Sequence, residues 1–167
     1  MKTLNYYISL ANKGNADAAY EAAKRMYFEK YNEVMVQAML RKAATLGNVH
    51  AQRWLGFIGL AGRLIDPRSS TSHVTYLTDY TAAYDWFNSA ASQGDAISVY
   101  AVARCVQHGI GTVKDPTYAA TLLETASAAP NSDDLLALMF FFDSHKACAC
   151  AAQSARHRSI IKDLLAG

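Results

Sequence analysis

The sequence predicts an all-α protein organised as an α-solenoid, a stack of antiparallel helix pairs. Three observations lead there. Thirty of the 167 residues are alanine, against seven isoleucines and eight valines; alanine is the best helix former and β-branched residues favour strands. A short helix-stop, helix-start signature recurs along the chain. Finally, only three prolines and nine glycines interrupt it, and most of them fall where helical patterns end.

The signature reads Leu10-Ala11-Asn12-Lys13-Gly14-Asn15-Ala16, then Ala43-Ala44-Thr45-Leu46-Gly47-Asn48-Val49, then Ala90-Ala91-Ser92-Gln93-Gly94-Asp95-Ala96. A fourth copy, Ala126-Ser127-Ala128-Ala129-Pro130-Asn131-Ser132, has Pro in place of Gly. The anchors Gly14, Gly47, Gly94 and Pro130 are spaced 33, 47 and 36 residues apart, the interval expected of a stacked repeat. The glycine takes a left-handed cap cheaply, and the following Asn or Asp caps the next helix. Eight residues before each anchor stands a bulky side chain, Tyr6, Met39, Trp86 or Leu122, expected to fill the space between neighbouring pairs. Ala18, Ala51 and Ser98 occupy a matched position where helices can approach closely.

Taken in order, helices are predicted near 3–12, 16–29, 33–45, 49–61, 80–92, 96–108, 117–128, 133–143 and 145–164. The turn at Phe28–Asn32 is short. Residues 66–78, rich in Ser and Thr, enlarge the corresponding turn of the next unit. Gly109-Ile110-Gly111 forms the third such turn, and Pro116 suits the first helical position after an Asp115 cap. The last segment loses the pattern and carries Lys146, Arg156, Arg158, Lys162 and Asp163, as a terminal cap would. The chain is thus one domain over 1–167, with a half unit at 1–14, units at 15–47, 48–94 and 95–130, and a degenerate unit with its cap at 131–167.

On these residues the chain resembles the Sel1-like repeat family, relatives of the tetratricopeptide hairpins. Ala51-Gln52-Arg53-Trp54-Leu55-Gly56 matches the first helix of the motif, Gly109-Ile110-Gly111 with Asp115 its turn, and Asp79-Tyr80-Thr81-Ala82-Ala83-Tyr84-Asp85-Trp86-Phe87-Asn88-Ser89-Ala90-Ala91-Ser92-Gln93-Gly94 its second helix. The resemblance covers about residues 4–142 and is sharpest in units two and three. It implies a right-handed superhelix and a bacterial protein-interaction module, an adaptor, regulatory or immunity-type protein. It also implies a concave groove lined by the first helix of each pair. By analogy with tetratricopeptide arrays, that groove takes Tyr20, Arg53, Tyr100 and Leu136 from one helical column and Lys24, Phe57, Arg104 and Phe140 from another. Tyr27, Phe28, His50, Leu60, Gln107 and His108 flank them. Alternating rings and cations suit a protein or peptide partner bearing acidic or C-terminal carboxylate groups. The competing reading is that several of these rings pack between hairpins.

The enlarged turn, with Arg68, His73 and Tyr76, is a second candidate surface, because long loops in compact arrays are often functional. Two other function classes stay open. One is a hydrolase of cell-wall or lactam substrates, as proposed for cysteine-rich relatives, although the paired cysteines of those relatives are missing here. The other is a structural subunit of a larger assembly, which self-association would reveal.

Composition narrows the rest. Net charge is +2, from 16 Lys and Arg against 14 Asp and Glu, so no electrostatic footprint for nucleic acid exists. No apolar run reaches the length of a membrane span, and the first ten residues lack a signal-peptide pattern. A cytoplasmic location is expected, or a periplasmic one if an export signal has been removed. Cys105, Cys148 and Cys150 make a poor disulfide framework. On a helix Cys148 and Cys150 point to opposite sides, so no metal is expected despite His145 and His157 nearby. No catalytic motif and no cofactor fingerprint is found; His108 is read as a helix-end or groove residue. The apolar run 135–142 is expected to be mostly core.

Overall fold

The computed structural model describes residues 2–61 and 78–127. The two last predicted helices, the turn residues Arg68, His73 and Tyr76, and the groove candidates Leu136 and Phe140 lie outside the described residues. Seven helices and no strand occur among the described residues: α1 (Leu4–Asn12), α2 (Ala16–Phe28), α3 (Glu33–Thr45), α4 (Val49–Ala61), α5 (Tyr80–Ala91), α6 (Ala96–His108) and α7 (Pro116–Ser127). Each predicted helix over this region is present, with ends shifted by at most one residue.

One turn geometry is used three times. Gly14, Gly47 and Gly94 have φ of 89°, 94° and 87°, the left-handed region that a side chain makes costly. In each copy the next residue's N–H returns to a carbonyl of the finished helix: Asn15 to Leu10 at 3.2 Å, Asn48 to Ala43 at 3.0 Å and Asp95 to Ala90 at 3.3 Å. That same residue then accepts from the helix it opens. Asn15 Oδ1 accepts from the Ala18 N–H and Asn48 Oδ1 from the Ala51 N–H, both at 2.8 Å, and Asp95 Oδ2 accepts from the Ser98 N–H at 3.0 Å. The remaining helices are also capped by side chains, from Thr3, Asn32, Asp79 and Asp115.

These turns reverse the chain, and each helix packs against its sequence neighbours from α1 through α7. Ala18, Ala51 and Ser98 are buried as the repeat requires. Two apolar cores result, and α4 is their common wall. Trp54 and Leu55 join the first, with Ala19, Ala23, Met26, Val36 and Leu40. Phe57 and Leu60 join the second, with Phe87, Ile97, Tyr100, Val102 and Val106. Met39, Trp86 and Leu122 fill the spaces between pairs, half-buried. Tyr6 does not: on the outermost helix it is 41% exposed and rests edge-on against Tyr7.

Close packing of α4 on α5 depends on two glycines facing the second helix. A Cβ on Gly56 would sit 2.7 Å from the Phe87 ring, and one on Gly59 2.8 Å from the Ala83 Cβ. The α2–α3 turn, by contrast, uses Lys30 at φ 66°. There a lysine does the work of a capping glycine, with the Tyr31 N–H bonded to the Met26 carbonyl at 2.9 Å.

Two opposite changes in stability follow. Phe87 is fully buried and has nowhere to move, so Gly56→Ala lowers stability by about 1–3 kcal/mol through overpacking. Lys30→Gly raises it by about 0.5–1 kcal/mol by removing left-handed strain. Urea denaturation of both variants beside the parent checks the signs.

Candidate functional site

The helices that open each pair, α2, α4 and α6, carry the predicted groove columns, and the structure divides those residues into two groups. Tyr20, Lys24 and Tyr27 on α2 are half-buried, as are Arg53 on α4 and Arg104 and His108 on α6. Phe57 and Tyr100 are buried in the second core. Phe57 meets Phe87 edge to face, with centroids 5.1 Å apart. These two rings support the face from beneath and present no surface to a ligand, which is the packing alternative raised by the sequence. The Arg104 guanidinium lies 6.0 Å from the Tyr100 centroid and donates to Gln107 Oε1 at 3.0 Å.

The partly exposed residues of α2 and α4 come together around two rings that sequence columns rank low. His50 stacks on Tyr20, at 5.6 Å with planes 28° apart. Trp54, buried, meets Tyr20 at 6.2 Å and Tyr27 at 5.5 Å, both edge-on, and Tyr27 meets Phe28 at 5.6 Å. A continuous run of rings therefore leads from His50 along α2 to Phe28, which is 53% exposed. Trp54 organises it, yet it falls one position outside the predicted column because its ring points between the two helices.

Electrostatics differ from the alternation of rings and cations expected. Lys24 lies 5.0 Å from the Tyr20 centroid and pairs with Glu21 at 2.6 Å. Arg53 Nη1 pairs with Asp95 Oδ1 at 3.0 Å, in a bridge whose side chains are 17% and 12% exposed. Arg53 Nη2 reaches His50 Nδ1 at 3.2 Å. A guanidinium can only donate, so Nδ1 is the acceptor and the neutral ring carries its proton on Nε2. Burial lowers the His50 pKa from 6.5, and Arg53 lowers it further, against the raising pull of Asp95. Burial raises the Tyr20 hydroxyl pKa, opposed by Arg53 and assisted by Glu21. The two cations thus already have carboxylates within the chain.

Arg53–Asp95 is one rung of a polar ladder linking successive units along the glycine-turn edge. Lys42 donates to Asn12 at 2.6 Å, Asn48 to Asp17 at 2.8 Å, Gln93 to Gln52 at 2.8 Å, and Gln52 to the Ala44 carbonyl at 3.0 Å. No spacing rule signals these pairs, since their separations span helix hairpins of unequal length. The opposite edge carries most of the exposed apolar side chains among the described residues. Of nine exposed large hydrophobic residues among those described, eight (Tyr6, Phe28, Tyr31, Val34, Met35, Tyr80, Val113 and Tyr118) lie at helix ends on that side, and Leu46 alone lies at the glycine turns.

Other chemistry finds little support among the described residues. No group of three His, Cys, Asp or Glu side chains could hold a metal ion, and no helix is long and apolar enough to cross a membrane. The Cys105 thiol is buried and its pKa is pushed up to about 12, which leaves it protonated and unreactive at neutral pH. Cys148 and Cys150 lie outside the described residues.

Comparison with known proteins agrees with the repeat geometry. The Sel1 repeat model matches residues 74–95 and 96–131. The crystal structure of a Sel1 repeat protein from Oxalobacter formigenes is similar, with a TM-score of 0.63 and 28% identity, over 78% of this chain and 94% of that one. No curated protein sequence matches. Sel1 repeats are in general protein–protein interaction modules and typically non-catalytic. Two adjacent matched repeats and the similar solved structure thus support a Sel1-like repeat architecture for this chain.

Proposed function

We propose that the protein is an adaptor-type module that binds a segment of another protein along α2, from the Tyr20–His50 stack to the apolar edge at Phe28 and Tyr31. The observation that carries this reading is the continuous run of ring contacts from His50 through Tyr20, Trp54 and Tyr27 to Phe28. Its ends are exposed while its middle is anchored on a buried tryptophan. Rigid rings of this kind offer contact area at small entropic cost and are enriched among binding hot spots. A partner carboxylate meets Lys24 and Arg53 only in competition with Glu21 and Asp95. Recognition therefore rests on aromatic and apolar contact, with hydrogen bonds at the rim from the His50 Nε2–H and the Tyr20 hydroxyl.

Exposed residues at the two ends of the run provide the test. Affinity capture with the native protein is compared with capture by the His50→Ala, Phe28→Ser double variant, with circular dichroism verifying the fold of both. A bound protein whose recovery drops about tenfold or more supports the reading, since one or two anchors are typically worth more than 1 kcal/mol each. Equal recovery with the folded variant overturns it.

Arg53 is a poor probe of binding because it also holds the cap of α6. Arg53→Ala costs roughly 1–2 kcal/mol through loss of a charged hydrogen-bonded pair. Asp95→Ala costs more, since it removes that pair and the N-cap together. Thermal melts of the two single variants establish this order.

A further inference from the structure

The Tyr20–His50–Arg53 contact joins two successive hairpins through one titratable ring, and Arg53 continues it to a third. His50 rests on Tyr20 of α2, accepts from Arg53 of its own helix, and through Arg53 reaches Asp95, the cap of α6. We propose that His50 is a proton-operated latch on this face: protonation of Nδ1 breaks its bond from Arg53 and turns the ring off Tyr20, dismantling the surface in mild acid.

The geometry allows one arrangement with a neutral ring and forbids it with a charged one. Arg53 Nη2 carries only N–H donors, and Nδ1 faces it at 3.2 Å. A proton on Nδ1 sets donor against donor and places two positive charges side by side. Among the described residues, four charged groups act on the ring. From α2 these are Lys24, which opposes protonation, and Asp17, which favours it; from α4 Arg53 opposes it; from the start of α6 Asp95 favours it. Burial is the largest cause of the lowered affinity and Arg53 the next, and the opposing pull of the two carboxylates, each also held by other groups, does not reverse it. Asp17 accepts from Asn48 at 2.8 Å, and Asp95 holds Arg53 through one oxygen and the Ser98 N–H and hydroxyl through the other. Arg53 therefore stays with Asp95, and the exposed imidazole is the group that moves.

The sign follows from proton affinity. The ring binds a proton less readily in the folded chain than at its ordinary value of 6.5, so the unfolded chain takes protons first as pH falls. The latch contributes its full stability above 6.5 and loses it as pH drops through the folded value. Release of a partner in acid rests on the binding surface proposed above; the latch itself does not require a partner.

The test uses the full-length protein alone, by NMR from pH 7.5 to 4.5, with His50 signals assigned by their absence in His50→Gln. The expected result is a neutral ring protonated on Nε2 and a midpoint below 6.5. Tyr20 ring signals and the Trp54 indole N–H shift with that same midpoint, and this shift is lost in His50→Gln. A midpoint at or above 6.5, or Tyr20 and Trp54 signals that ignore the His50 titration, overturns the latch. Failure of the binding surface would appear instead as equal capture by the His50→Ala, Phe28→Ser variant at neutral pH.

Discussion

Each of the three described reversals of direction between units depends on one residue pair, a left-handed glycine followed by a capping Asn or Asp. The glycine ends one helix by turning a backbone N–H toward its last free carbonyls. The next residue donates its own N–H backward to the finished helix and offers its side-chain oxygen forward to the new one. One short segment thus satisfies backbone groups of two helices that would otherwise be unpaired, and it fixes the angle between them. Everything on the glycine-turn edge inherits that geometry. Because Asn48 and Asp95 sit at equivalent points, their remaining polar atoms reach back to the preceding unit, at Asp17 and Arg53. Helix capping and cohesion between repeats are therefore functions of the same side chains.

That economy explains why the fold was legible in the sequence while the site was legible only in part. Gly14, Gly47 and Gly94 with their following caps are local signals, complete within seven residues, and they located helix ends to within one residue. The burial of Ala18, Ala51 and Ser98 follows from the same register. Site residues depend on contacts between units, and here the register gave a column without saying how deep each member lies. Phe57 and Tyr100 share columns with Lys24 and Arg53, but they sit where α4 and α6 meet the second core, so burial claims them. His50 occupied a flanking column and became central because its ring lies over Tyr20. Asp95 was legible as a cap, but not as the partner of Arg53, 42 positions earlier.

Electrostatics shows the same limit. A column of rings and cations reads as a basic groove when only its own members are considered. In the folded chain Glu21, from the same helix, and Asp95, from the next unit, each meet a cation. What stays exposed between α2 and α4 is largely aromatic, with a polarity set by which ring nitrogen of His50 holds a proton. Arg53 decides that through its contact with Nδ1, while its other nitrogen pairs with Asp95.

The unequal units, with anchors 33, 47 and 36 residues apart, differ mainly in the length of the connection between the two helices of a pair. At the glycine edge the helices are joined by residues 13–15, 46–48 and 92–95; on the other edge the connections are 29–32, 62–79 and 109–115. The two margins are thus constrained differently. One is a spine of constant pitch, where an inserted residue would break a shared cap and throw every later unit out of phase. The other joins helices by connections of unequal length, and among the described residues it carries most of the exposed aromatic and aliphatic side chains. New specificity can be written on that side while the spine stays fixed.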